Sequence, residues 1–171
     1  EAIQEADTLL LTIPNTLGVD YNVHVLTSIL DHVAPGLGWS MYSAAKFAVT
    51  GLSEALANDL KPLGINVTAV LPGWFRTSFA KADSIAFGEN QIDDYQFLRT
   101  AHQRMNEIDG KQLGNPEKAA DVFMKLADVS NPPVFFFLGT DAAQRAENKI
   151  AELSEQIQQW KALSSSTDFK E

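Results

Sequence analysis

Short apolar runs bounded by proline predict several strands in this chain. The runs at 8–13, 65–71 and 134–138 are rich in Val, Leu, Ile or Phe, as buried strands are. The run at 134–138 is apolar throughout and is expected to be fully buried. The segment Val23–Val33 fits two structures, because its apolar residues have helical spacing while its β-branched residues favour a strand. Both alternatives stay open for it.

A long helix is predicted from Ser43 to Leu60, before Pro62 and Gly64 break the pattern. Its wide apolar face comprises Ala44, Ala45, Phe47, Ala48, Leu52, Ala55, Leu56 and Leu60. The strand at 65–71 follows this helix after a short turn, and a helix followed directly by a strand is half of a βαβ unit. The pattern therefore predicts an α/β fold with a parallel sheet.

Two shorter helices are predicted downstream. The first covers about 93–108. The second ends near Ala127 and begins with the sequence Asn115-Pro116-Glu117. There, Asn serves as the N-cap, Pro takes the first helical position, and Glu lies near the positive end of the helix dipole.

The last predicted helix is capped by Thr140 or Asp141. Its apolar stripe is expected to pack against the rest of the fold and comprises Ile150, Leu153, Ile157 and Trp160. Residues 164–171 form a polar tail.

Composition narrows the class of protein. The chain has 171 residues, of which 45% are hydrophobic and 20% charged, and its formal net charge is −9. That charge gives no general attraction for nucleic acid or for an anionic membrane. The chain has no cysteine, and its three histidines lack the spacing of metal ligands, so neither a disulfide scaffold nor a metal site is expected. No apolar run approaches the roughly 20 residues that span a bilayer, and a cytoplasmic protein is expected.

Tyr42 and Lys46 carry the clearest chemical signal. Residues four apart on a helix lie on one face, so the phenol and the ammonium can reach a shared ligand. A tyrosine has a pKa of about 10, and a cation a few ångströms away lowers that pKa. Such a phenol can act as the general acid or base of carbonyl reduction and its reverse. Taken alone, the pair also fits two residues on a solvated helix face.

The context of this pair resembles the short-chain dehydrogenase/reductase family. From Tyr42 to Thr77 the chain has Tyr-x-x-x-Lys, a helix of small residues, a strand and a Pro-Gly-x-x-x-Thr loop, in the family's order and spacing. A looser resemblance continues to Phe169. It implies part of a Rossmann-like, doubly wound parallel sheet and hydride transfer between NAD or NADP and a carbonyl/alcohol substrate. It also implies a homodimer or higher homo-oligomer, paired through the helix after Ser43.

The resemblance assigns roles to five residues. It implies that Tyr42 is the general acid/base, and that Lys46 holds the nicotinamide ribose hydroxyls and lowers the pKa of Tyr42. Pro72 and Gly73 begin a loop that would pass along the nicotinamide ring, and Thr77 would hydrogen-bond its carboxamide. The loop follows a predicted strand, at the end where open α/β sheets bind ligands.

Ser28 is the candidate for the family's catalytic serine, whose hydroxyl steadies the substrate carbonyl. This role requires that Ser28 follow a strand. If Val23–Val33 is a helix, Ser28 is an ordinary residue of its polar face.

The family's glycine-rich phosphate turn is missing from this sequence. The one Gly-x-Gly pair, Gly36 and Gly38, lacks a third glycine and a clear preceding strand. Residues 41–163 are therefore interpreted as the carboxyl-terminal half of a Rossmann domain that lacks the N-terminal βαβ dinucleotide-binding half. Residues 1–40 are an uncertain segment, either part of that family or foreign. They also weakly resemble the end of a flavin-dependent luciferase-like monooxygenase.

Two functions stay open at this point. The chain is either an NAD(P)-dependent oxidoreductase of this family or a truncated or fused, non-catalytic fragment of one that only folds and associates.

Overall fold

A computed structural model of the chain describes residues 9–14, 21–26, 38–80 and 92–169. Its strands are β1 (Leu9–Pro14), β2 (Tyr21–Leu26), β3 (Ile65–Pro72) and β4 (Phe135–Leu138). Its α-helices are α1 (Ser40–Leu60), α2 (Gln96–Asn106), α3 (Pro116–Ala127) and α4 (Thr140–Ser164). Short 3-10 helices lie at Lys61–Leu63, Ser78–Ala80, Asp93–Tyr95 and Ser165–Thr167.

The described strands form one sheet in the order β1-β2-β3-β4. Strands β2, β3 and β4 are parallel, which confirms the predicted α/β fold. Strand β1 instead pairs antiparallel with β2. Residues 15–20 are too few for the crossover of about a dozen residues that a parallel neighbour requires, so an antiparallel pair is the connection they allow.

The ambiguous segment Val23–Val33 begins as a strand. Strand β2 pairs with β3 along its whole length and ends at Leu26. Its β-branched residues and the available edge of β3 thus outweigh the helical spacing. Ser28 lies outside the described residues, as does Gly36 of the Gly-x-Gly pair.

Strand β3 forms the centre of the core. All five of its residues from Val67 to Leu71 are buried. Successive side chains of a strand point to opposite faces of the sheet. Val70 packs against Ala119 of α3, and Leu71 packs against Ala142 of α4. Helices therefore cover both faces of the sheet, as in a doubly wound fold.

Strand β4 is shorter and less buried than the sequence predicts. It begins at Phe135 instead of Val134, and Leu138 is its buried residue. The three phenylalanines before it are half-buried. In the described sheet β4 lies at the edge and pairs with β3 alone, so its apolar sequence overstates its burial.

Helix α1 buries a face other than its apolar one. Its buried residues are Ser43, Lys46, Ser53 and Ala57. The predicted apolar face is largely exposed, with Phe47 at 45% and Leu52 at 60% of full exposure. The Ser53 hydroxyl is satisfied within the helix, since it donates to the Val49 carbonyl at 2.8 Å. The spacing therefore identifies the helix but not the side that meets the core.

The start of α3 confirms the predicted cap. Asn115 Oδ1 accepts hydrogen bonds from the backbone N–H groups of Glu117, at 2.8 Å, and Lys118, at 3.3 Å. Pro116 occupies the first helical position.

The helix predicted over 93–108 is shorter in the structure, since a 3-10 turn precedes α2 and α2 ends at Asn106.

Two predictions for α4, its capping residue and its packing face, are wrong. Gly139 is its N-cap and no side chain caps it, so neither Thr140 nor Asp141 has the capping role. The stripe from Ile150 to Trp160 is exposed and is not a packing face. The buried residues of α4 are Ala142 and Ala146, both in its first two turns, so the remaining turns extend past the core.

Candidate active site

Tyr42 and Lys46 lie in the first turns of α1, on one face of the helix. The Lys46 Nζ atom is 5.2 Å from the centroid of the Tyr42 ring. Tyr42 is half-buried, whereas Lys46 is only 4% exposed. Burial of an ammonium is costly unless polar groups or an aromatic face compensate for it. The structure thus brings the phenol and the ammonium together, as the spacing predicts.

Two further aromatic rings surround the Tyr42 ring. The Trp39 ring lies edge-on to it, with centroids 5.7 Å apart and an interplanar angle of 75°. The Phe79 ring lies 6.1 Å from it. These contacts limit the rotation of the Tyr42 side chain. Trp39 comes from the residue before α1 and Phe79 from the segment after the Pro-Gly loop. This cluster of three rings therefore links the Tyr42–Lys46 pair with the segment that follows the Pro-Gly loop.

Sequence reasoning missed both of these rings. Trp39 precedes Tyr42 by three residues, a spacing at which side chains at a helix start can meet. Phe79 had no comparable signal, because its contact with Tyr42 depends on the tertiary fold.

The loop Pro72–Thr77 begins at the carboxyl end of β3. The Gly73 N–H donates to the Leu138 carbonyl at 2.9 Å. The Trp74 N–H donates to Asp141 Oδ2 at 2.7 Å. Both acceptors come from the end of β4 and the start of α4. The first half of the loop is thus fixed to a single neighbouring turn.

The second half of the loop is fixed to the segment before α3. Gly114 donates its N–H to the Trp74 carbonyl at 2.9 Å and accepts from the Arg76 N–H at 3.0 Å. Phe75 and Gly114 form an isolated parallel bridge between these segments. The exposed Arg76 also donates from Nε to the Gln112 carbonyl at 2.7 Å. This ties its guanidinium to the segment before α3.

Thr77 keeps a hydrogen-bond donor. Its Oγ1 accepts from the Phe79 N–H at 3.4 Å, which leaves the hydroxyl hydrogen able to donate. The Thr77 N–H itself donates to the Phe75 carbonyl at 2.9 Å.

Gln112 is a third residue that sequence reasoning missed. Its side chain is 3% exposed, and neither Nε2 nor Oε1 has a hydrogen-bond partner among the residues that the structure describes. A buried carboxamide of this kind is rare unless water or a ligand bonds it. No sequence signal singles it out, because its burial follows from the packing of the loop and α3.

The rest of the described residues adds no competing site. They contain no group of three or more His, Asp and Glu side chains that could hold a metal ion. A cavity of about 580 Å³ lies on the last turns of α4, beside Ile157, Trp160 and Asp168, and none of the candidate residues lines it. None of the described helices is both long and apolar enough to cross a membrane.

Comparison with known proteins gives consistent matches. The model of the family described as short chain dehydrogenase matches residues 25–86, a range that includes Tyr42, Lys46 and the loop. Oxidoreductase BOA17 of Botryotinia fuckeliana is 31% identical over 77% of this chain and 47% of its own length. The 3-ketodihydrosphingosine reductase of Bacteroides thetaiotaomicron is 38% identical over 54% of this chain and 34% of its own length.

A solved structure agrees with these relatives. The crystal structure of a short-chain dehydrogenase from Streptomyces avermitilis superposes with a TM-score of 0.72 and 28% identity. The match covers 86% of this chain and 53% of that protein. The chain therefore spans about half the length of the relatives it matches.

Helices on both faces of a partly parallel sheet, with Tyr42, Lys46 and the loop at one end, define a partial Rossmann-like fold. The family model, the curated relatives and the solved structure all support the short-chain dehydrogenase/reductase family as the family of this chain. Members of this family generally use NAD or NADP. The weak resemblance of residues 1–40 to a flavin-dependent monooxygenase is not borne out by these matches. The division into residues 1–40, 41–163 and 164–171 stays a prediction.

Proposed function

We propose that this chain supplies the proton-transfer and nicotinamide-contacting part of an NAD(P)-dependent oxidoreductase. The reaction is hydride transfer between the nicotinamide and a carbonyl/alcohol substrate. One observation carries the proposal: the buried Lys46 ammonium lies 5.2 Å from the Tyr42 ring, inside the range that matches the family.

Tyr42 moves the proton in this mechanism. The cofactor, when bound, supplies or accepts the hydride. In the reducing direction the Tyr42 hydroxyl gives its proton to the substrate oxygen, and in the oxidising direction the phenolate removes that proton. The role proposed for the Lys46 charge is to stabilise the phenolate, because a nearby cation favours the charged form of a phenol. The rings of Trp39 and Phe79 support this role because they hold the phenol in place.

The residues of the site fit the nicotinamide end of the cofactor. The Lys46 ammonium would hold the ribose hydroxyls. The Thr77 hydroxyl has a hydrogen to donate, which suits the carboxamide oxygen of the ring. Pro72 and Gly73 begin a loop whose backbone is fixed on both sides, so that the loop can offer a rigid wall to the ring.

Cofactor binding by this chain alone is expected to be weak. Among the described residues no glycine-rich turn is present that could hold the pyrophosphate. We expect a dissociation constant weaker than about 1 mM for NADH and for NADPH. Calorimetric titration measures it. Micromolar affinity for either would show that a phosphate site exists elsewhere in the chain.

A chimera tests the catalytic proposal. In it, the upstream half of the Streptomyces avermitilis dehydrogenase is followed by residues 21–171 of this chain, so that the junction precedes β2, in which the family match begins. Oxidation of NADH or NADPH is followed by absorbance with a panel of aldehydes and ketones. The Tyr42→Phe chimera is expected to bind the cofactor and to lose turnover. Equal turnover with and without this change would refute the proposal.

Ser28 is proposed as the residue that steadies the substrate carbonyl. Its support is the strand β2, whose last residue, Leu26, precedes Ser28 by two positions in the sequence. In the chimera, Ser28→Ala is expected to lower kcat strongly while the KM for the cofactor changes little. Near-normal turnover would remove Ser28 from the site.

The exposed face of α1 favours a second candidate function, association without catalysis. Phe47 and Leu52 are large apolar residues on this face and are 45% and 60% exposed. Apolar surface of this kind promotes pairing of chains. We expect the chain to be oligomeric by light scattering at tens of micromolar, and Leu52→Glu to reduce its mass. Asn148→Glu, at an exposed position of α4, is the control. A monodisperse monomer would contradict this second proposal.

A further inference from the structure

Asp141 connects two distant parts of the chain. Its Oδ2 accepts the Trp74 N–H at 2.7 Å, across 67 residues of sequence. Asp141 lies in the first turn of α4 and is half-buried. A hydrogen bond between a backbone N–H and a carboxylate is charge-assisted and stronger than one between neutral groups. This bond therefore ties the loop after β3 to the helix after β4.

The Asp141 carboxylate also fills the space beside a glycine. A Cβ atom built on Gly73 would overlap the carboxylate, and its three nearest atoms would be Cγ, Oδ1 and Oδ2 of Asp141. A Cβ on Gly139 would lie 2.9 Å from Oδ1 of the same residue. The carboxylate thus lies between two positions that have no side chain.

Two successive backbone N–H groups of the loop find their hydrogen-bond acceptors in one segment, the turn between β4 and α4. The Gly73 N–H bonds the Leu138 carbonyl, and the Trp74 N–H bonds the Asp141 carboxylate. The path of the loop is therefore set by the turn between β4 and α4. Without the carboxylate, the Trp74 N–H would lose its acceptor at a half-buried position, which is costly.

We propose that Asp141 is a positioning residue for the loop Pro72–Thr77, and that position 73 requires glycine because the Asp141 carboxylate occupies the adjoining space. Asp141 acts through the Trp74 backbone N–H. The value of this anchor for catalysis rests on the proposed function, in which the loop borders the nicotinamide. The anchor itself is independent of that function.

Amide hydrogen exchange of the 171-residue chain tests the anchor directly. In Asp141→Ala the Trp74 amide should exchange at least about tenfold faster, because its acceptor is gone. The Gly73 amide, bonded to the Leu138 carbonyl, is the internal reference and should change less. Asp141→Asn keeps an oxygen acceptor and should retain most of the protection. Glu155→Ala removes an exposed carboxylate from the same helix and is the matched control.

Unchanged exchange of the Trp74 amide in Asp141→Ala would overturn the proposal. If that variant does not fold, the unsubstituted chain supplies the test. The amide proton shift of Trp74 must then follow the acid titration of the Asp141 side chain, as recorded by NMR. A Trp74 shift that stays constant through this titration overturns the proposal equally.

A double substitution tests the shared space. Gly73→Ala alone should lower the melting temperature by about 4 °C or more, because the new methyl group meets the carboxylate. The double variant Gly73→Ala/Asp141→Ala should lose clearly less melting temperature than the two single variants lose together. In the double variant the three carboxylate atoms of Asp141 that the new methyl group would meet are absent. Additive losses would show that the carboxylate does not restrict position 73.

The chimera separates this proposal from the proposed function. There, Asp141→Ala should raise the KM for the cofactor about tenfold with a smaller change in kcat, and Asp141→Asn should restore most of it. If no form of the chimera transfers hydride, the proposed function fails. The exchange and double-substitution results still decide whether Asp141 anchors the loop.

Discussion

The two parts of the candidate site are built in different ways. Tyr42 and Lys46 lie on the same helix four residues apart, so the period of the helix itself brings them together. The loop Pro72–Thr77 is instead held by Gly114 and Asp141, which lie far along the chain. One part needs only α1 to be formed, whereas the other needs β3, β4 and the starts of two helices to be in place.

In the proposed function, the Tyr42–Lys46 pair carries out the proton transfer and the loop Pro72–Thr77 positions the cofactor. The local pair supplies the ionisable groups. The long-range loop supplies a surface of fixed shape and depends on contacts that form only in the complete fold. Substitutions in the first part should therefore affect turnover with little effect on stability, and substitutions that support the second part should affect stability.

The largest effect is expected from Tyr42→Phe. The change removes the hydroxyl and keeps the ring among Trp39 and Phe79, so kcat of the chimera should fall by at least about 100-fold. The melting temperature should change little. Tyr95→Phe, at a 51% exposed tyrosine, is the control and should leave kcat unaltered. A similar loss in both variants would show that the chemistry does not reside in the local pair.

Gly114→Ala should produce the largest change in stability. A Cβ at this position would lie 2.6 Å from carbon atoms of the Phe75 ring, so we expect a loss of about 2 kcal/mol in the free energy of unfolding. Gly51→Ala is the control and should raise the free energy of unfolding instead of lowering it. A Cβ there meets nothing within 4 Å, and alanine favours a helix interior by about 0.5–1 kcal/mol. Urea unfolding measures both, and equal effects would contradict the tight packing of the loop.

Lys46→Ala should act on both cofactor binding and pH dependence. In the reducing direction the phenol must be protonated, so the rate falls as the pH rises through its pKa. Loss of the Lys46 charge raises that pKa, and the fall in rate should move to higher pH. The KM for the cofactor should rise about tenfold.

A pH–rate profile of the chimera measures the shift. Lys61→Ala removes an exposed lysine at the end of the same helix and serves as the control. If the descending limb of the Lys46→Ala profile stayed in place or moved to lower pH, the coupling between ammonium and phenol would be wrong.

The smallest effect is expected from Asn115→Ala. The side chain accepts from two N–H groups at the start of α3, and its loss should cost about 1 kcal/mol of stability. Because Asn115 follows Gly114 directly, this variant shows whether a local cap alone disturbs the loop. The Trp74 amide should keep its exchange rate. Faster exchange there would mean that the loop depends on the cap as well.

The sequence alone was sufficient to predict those features that neighbouring residues determine. The Asn115 cap, the buried strand at 65–71 and the Tyr42–Lys46 pair all follow from spacing and composition, and the structure contains each of them. Asp141 shows the opposite case. An aspartate at a helix start suits a cap, but its real partner is the Trp74 N–H, which no local pattern reveals.

Burial was the other quantity that the pattern did not determine. The apolar stripe of α4 was expected to meet the core, yet Ile157 is 64% exposed, and Leu52 on the apolar face of α1 is 60% exposed. Periodicity reports that a helix has an apolar side. It does not report whether that side meets the same chain, and the buried side of α1 carries Ser43, Lys46 and Ser53 instead.

The close approach of Gly73 and Asp141 also limits the order in which this sequence can evolve. A side chain gained at position 73 meets an occupied space, whereas loss of the carboxylate at position 141 creates no overlap. A lineage can therefore acquire a larger residue at 73 only after 141 has changed. Among descendants of such a chain, a side chain at 73 beside an aspartate at 141 should be the combination that selection removes.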